Sequence, residues 1–159
     1  MAVGRVYTVV LTGTVTAAGT DTDLFYIAPA DDKGCRVLAI SIDITSELGE
    51  AQEEWLALKV IRGHATVGSG GASATPAPTN PGDSAAGFTA RVNDTTIASA
   101  GTPVDLWSGG MNVRAGLREI FTPEQLFTVT QTQTTLVIRM TNTLVDDVSV
   151  SATIWVEEQ

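Results

Sequence analysis

The chain has 159 residues, of which 43% are hydrophobic and 17% charged, and its net charge is −9. That length suits one domain with a sizeable core, and the composition excludes wholesale disorder. A lone cysteine, Cys35, excludes an intrachain disulfide, and nine basic residues scattered among eighteen carboxylates make a phosphate backbone an unfavourable partner, so nucleic acid is not expected.

The first ten residues lack the basic flank and apolar core of a secretory signal, and no apolar run approaches the ~20 residues of a membrane helix. A soluble protein made in the cytosol, without a membrane partner, is the expectation. Residues 6–15 instead alternate, with Tyr7, Val9, Leu11 and Val15 on one face and Thr8, Thr12 and Thr14 on the other, which is a half-buried strand. A turn at Gly19, Thr20 and Asp21 leads to a short strand over 24–28, closed by Pro29, Asp31, Asp32 and Gly34. Over 36–45, Leu38, Ile40, Ile42 and Ile44 form one face and Ser41, Asp43 and Thr45 the other. Residues 46–54 are the one plausible helical turn, and 55–62 return to strand alternation through Leu56, Leu58 and Val60.

From 63 to 87 the composition shifts to Gly, Ser, Ala, Thr and Pro, and Pro76, Pro78 and Pro81 block both helix and central strand. The segment reads as a long loop or arm within the domain and not as a linker. Strands are then predicted over 88–97, 104–108, 126–141 and 148–156, with a less regular stretch before Phe121. A faint echo, Ala18-Gly19-Thr20 with Asp23-Leu24-Phe25 against Ala100-Gly101-Thr102 with Asp105-Leu106-Trp107, divides the chain into two four-strand halves. The expected fold is therefore all-β: a single domain over 1–159, a jelly-roll-type antiparallel β-sandwich of about eight strands with a long Gly/Pro-rich loop.

Motifs for chemistry are sparse. His64 is the sole histidine, so neither a multi-histidine nor a cysteine zinc site can form, and it reads as a polar contact beside the Gly-rich loop. Gly68-Ser69-Gly70-Gly71 lacks the lysine of a phosphate loop and the third glycine of a dinucleotide fingerprint. The acid pairs Glu53/Glu54, Asp31/Asp32 and Asp146/Asp147 read as turns and solvated edges, because neighbouring strand residues point to opposite faces. Asn93-Asp94-Thr95 matches a glycosylation acceptor without a secretory context, and Thr128, Thr130, Thr132 and Thr134 read as one exposed strand face. Neither an enzyme nor a cofactor or metal is expected.

The alternation places Trp55, Trp107 and Trp155 on the faces opposite the apolar ones, together with Val6, Val10, Val37 and Val137. Tryptophan is enriched in interfaces and on sugar-binding platforms, so an outward trio points to surface covered by something else. Two alternatives stay open: bulges that return a tryptophan to the core, and a second sheet face covered by the chain's own long loop.

Residues 1–8, 17–33, 47–56 and 60–64 running on to 90 give the whole chain a texture that resembles small bacteriophage virion proteins of the capsid-decoration (cement) or head-fibre kind. The resemblance implies a virion location and a homo-oligomer, a trimer above all. It further implies contacts with the major capsid protein or another virion protein, and no active site. On this reading Trp155→Ala or Trp107→Ala weakens self-association without unfolding the domain. The competing classes are a carbohydrate-binding module or receptor-binding fibre domain, with a glycan as partner, and a small sandwich hydrolase using paired carboxylates.

Overall fold

The computed structural model describes residues 4–17, 19–46, 49, 53–130, 135–141 and 144–159, and none of them is helical. The first six strands are β1 (Arg5–Val15), β2 (Thr22–Ala28), β3 (Cys35–Ile44), β4 (Trp55–Arg62), β5 (Ala72–Ala74) and β6 (Ala77–Pro78). They are followed by β7 (Thr89–Asp94), β8 (Val104–Asn112), β9 (Leu117–Ile120), β10 (Phe127–Val129), β11 (Leu136–Thr141) and β12 (Val148–Glu158). The segment predicted as one strand over 126–141 is two, β10 and β11, in different sheets. Most of the helical turn expected over 46–54 lies outside the described residues, as do Thr132 and Thr134 of the threonine row.

All pairings are antiparallel. The first sheet runs β10–β3–β12–β1–β6, with β9 also on β3, and the second runs β5–β7–β2–β11–β4–β8. Their inner faces enclose one core, in which Tyr7, Val9, Leu11, Ile40, Ile42 and Ile154 meet Leu24, Phe25, Leu56, Leu58, Val60 and Ile138. Each such side chain contributes about 1.5–3 kcal/mol on burial. β12 shows the period-2 rule from 148 to 156: Val148, Val150, Ala152, Ile154 and Val156 are all buried.

Three bulges break the rule elsewhere. In β3 the register shifts between the pairs Trp155↔Ala39 and Val156↔Val37, so Leu38 is the extra residue. The parity flips there: Cys35 and Val37 enter the core, while Leu38, expected inside, is only half-buried. In β8 the pairs Val60↔Trp107 and Ile61↔Asp105 bracket Leu106 as the extra residue. In β2 the pairs Ile138↔Phe25 and Arg139↔Asp23 bracket Leu24 in the same way.

Within the segment 63–87, residues 72–78 lie along one edge of the sandwich. They add β5 to β7 in one sheet and β6 to β1 in the other. Pro78 sits in the two-residue edge strand β6, a position where a missing backbone donor costs no ladder bond. Pro76 is half-buried, and Pro81 is exposed in a turn whose Asp83 N–H donates to the Asn80 carbonyl at 3.0 Å. Beyond it the Tyr7 hydroxyl donates to the Ser84 carbonyl at 3.0 Å, and the buried Glu158 carboxylate accepts the N–H groups of Gly87 and Phe88 at 2.7 and 3.1 Å.

Candidate functional site

The two sheets differ in what lies on their outer faces. On the second sheet, loops 63–71 and 95–103 fold back over the strands and bond to each other through Thr66↔Ser99 and Ser69↔Thr96. Beneath them Tyr26, Val137 and Ala98 form a small buried cluster of their own. A buried ion pair fastens this cover: Arg139 Nε donates to Asp23 Oδ1 at 2.6 Å, and Arg139 Nη2 donates to the Ala98 carbonyl at 3.0 Å. Asp23 Oδ2 in turn accepts the Ala98 N–H at 2.6 Å. The loops approach so closely that a Cβ on Gly101, at φ +77°, would collide with the Gly63 carbonyl.

On the first sheet the register aligns Thr8, Trp155, Ala39 and Ile120 in one row across four strands, with Val10, Thr153, Ser41 and Arg118 in the next. Val10 is 54% exposed, Ile120 69%, and Trp155 is half-buried. Bulged Leu38 joins Ala39, Arg118, Ile120 and Trp155 around a shallow hollow of about 240 Å³. Val6 stands at the end of the same face, half-buried beside Glu157 and Arg36, which are ion-paired to each other. No loop of the described chain bonds across this face as the two loops do on the other sheet.

Three of the tryptophan and valine expectations are corrected. Trp107 points inward, because the Leu106 bulge puts it opposite core residue Val60 and in line with Gly109, over which its indole lies. Val137 does face away from the main core but is fully buried under the chain's own loops, and Val37 is a core residue. Trp55 is outward as expected, 65% exposed and laid over Gly110 on the second sheet beyond the loop cover. Trp155, Val6 and Val10 share the open face of the first sheet.

At the edge where β8 faces β9 and β10, the sandwich has an open mouth of about 450 Å³. It is lined by Leu106, Trp107, Phe121, Leu126 and Phe127 together with the polar side chains of Arg62, Glu119, Glu124, Gln125 and Thr128, of which Glu124 and Gln125 are the exposed ones. Phe121 and Phe127 meet edge to face, with centroids 4.6 Å apart. Glu119 pairs with Ile40 and therefore points to the inner side of β9, whereas Ile120 lies on the outer side and lines both the mouth and the hollow behind it.

His64 is buried, with Nε2 3.4 Å from Arg139 Nη2, and burial followed by the Arg139 charge lowers its pKa. Cys35 is buried in the core, and desolvation, reinforced by Glu158, pushes its thiol to about 12. The acid pairs are turn and edge groups: Asp147 accepts the Ala17 N–H at 2.8 Å, Glu54 accepts the Val145 N–H at 3.3 Å, and Asp31 and Asp32 are exposed. Among the described residues no three His, Cys, Asp or Glu side chains gather as a metal site. The Arg139–Asp23 pair and the buried Glu157 and Glu158 escaped the sequence reading. A charge inside the apolar run Leu136–Met140, and two acids closing a clean strand, were the available signals.

No family model, curated protein or solved structure matches this chain.

Proposed function

We propose that the chain is a structural virion protein of a bacteriophage, a capsid-decoration or minor capsid protein that acts by binding and self-assembly. The observation that carries this reading is the contrast between the outer faces: one is covered by two latched loops, and the other leaves Val10, Trp155, Leu38 and Ile120 as an open apolar surface. Apolar surface of this kind marks an interaction site in a protein otherwise strongly acidic. The pairing pattern supports a jelly roll. β1 with β12 and β3 with β12 and β9 make one four-strand set, and β2 with β11 and β4 with β11 and β8 make the other. That nested order is the one two Greek keys produce, with 63–103 as an insertion between β4 and β8. The architecture serves viral capsids and lectins alike, so the fold favours neither, and the open face is what supports the assembly reading. The partners on this reading are further copies of the chain, as a trimer, and the major capsid protein of the virion.

The test is the solution mass by light scattering across a concentration series, with Trp155→Ala and Ile120→Ser beside the parent protein. Loss of either side chain from a buried interface is worth about 1.5–3 kcal/mol, or roughly 10- to 150-fold in association. A trimer that dissociates in both variants to a monomer with an unchanged strand-rich circular-dichroism spectrum is expected. A parent chain that stays monomeric throughout and does not sediment with phage capsids would sink the proposal.

A further inference from the structure

The open mouth between β8 and the β9–β10 turn has features that an assembly face does not need. Its lining brings three aromatic side chains, Trp107, Phe121 and Phe127, together with polar ones, Glu119 and Arg62 from strands and Glu124 and Gln125 from the turn. The turn is held before any ligand arrives: the Gln125 N–H donates to the Thr122 carbonyl at 2.8 Å, and the Thr122 hydroxyl donates to Gln125 Oε1 at 3.3 Å. Arg62 is fixed as well, with Nη1 donating to the Thr128 carbonyl at 3.2 Å. The volume, about 450 Å³, falls in the range of small-ligand sites.

The chemistry selects the ligand class. Two carboxylates against one guanidinium, in a chain of net charge −9, disfavour phosphates, sulfates and acidic sugars. Aromatic rings lining one cavity with carboxylate, amide and guanidinium groups suit a molecule with an apolar ring face and an equator of hydroxyls. We infer that this mouth is a binding site for the pyranose ring of a neutral saccharide, with Trp107 as the ring platform and Glu119 and Glu124 as hydroxyl acceptors. It goes beyond the assembly proposal and does not depend on it, although the shared residue Ile120 places the sugar site on the border of the assembly face.

Saturation-transfer NMR with the full chain and free glucose, galactose, mannose and N-acetylglucosamine tests the site. Transfer to the ring protons of at least one sugar is expected, with millimolar affinity. The affinity should fall at least tenfold in the Glu119→Gln/Glu124→Gln variant and in Trp107→Leu. Glu124 is exposed, so Glu124→Gln alone retains the parent melting temperature and separates binding from folding even if Trp107→Leu is unstable. The inference is overturned if no sugar of the panel shows transfer, as for a mouth that takes a basic peptide, or if transfer survives in the double glutamine variant. Solution mass, measured on the same samples, reports separately on assembly.

Discussion

Replacing Arg139 by Met tests the latch over the second sheet. The side chain is 10% exposed and its partner Asp23 1%, so both charges sit out of water. The substitution keeps the aliphatic length but removes the 2.6 Å and 3.3 Å bonds to Asp23 and the 3.0 Å bond to the Ala98 carbonyl. Among the described residues Asp23 would retain the Ala98 N–H alone, and a buried carboxylate left in that state costs about 3–5 kcal/mol. At about 2–4 °C per kcal/mol for a chain of this size, the melting temperature should fall by roughly 6–20 °C. Urea unfolding followed by tryptophan fluorescence, at fixed protein concentration, gives the free energy. A double-mutant cycle with Asp23→Leu isolates the pair: Arg139→Met/Asp23→Leu should recover much of the loss, because neither charge is stranded. A single variant that loses less than about 1 kcal/mol, or losses that simply add, would refute the latch.

The same network carries a pH dependence. The His64 pKa lies below its usual 6.5, so the unfolded chain takes up the proton first as pH falls. The stability it contributes is complete above about pH 6.5 and is lost as pH falls through the folded value, and His64→Gln should flatten that part of the stability–pH curve. Cys35, at about 12, carries almost no thiolate at pH 8, so a thiol-specific reagent should leave the native chain unlabelled for hours and react with one thiol per chain in urea.

Much of the fold was legible because half-buried strands announce themselves by alternation, as β1 does, β4 up to Val60 and β12 up to Val156. The failures share one cause. A bulge adds a single residue and exchanges the two faces beyond it, and nothing in the local sequence at Leu38 or Leu106 distinguishes a bulge from a regular strand. That exchange carried Trp107 inward and Leu38 outward. Val137 was misread for another reason: its strand face does point away from the main core, but whether a loop covers that face is decided by contacts some 40 residues away in sequence, Arg139 with Ala98 among them. The mouth was illegible altogether, since it arises where β8 and β9 meet across two sheets. The open face was half visible, through Val6, Val10 and Trp155, while Ile120 and Leu38 belonged to segments read as irregular or as core.

The pairing of β1 with β12 has a consequence for the order of events during synthesis. Gly4 donates to Glu157 across 153 residues of chain, and every residue of β1 finds its partner in β12. At 5–20 residues per second the ribosome needs roughly 8–30 s to cover that distance, and until then β1 waits without β12. A first strand made to wait is a hazard if both of its faces are greasy. The threonines at 12 and 14, exposed in the finished sandwich, and Thr8 beside them make the waiting strand half soluble, so their use belongs to the unfinished chain as much as to the folded one.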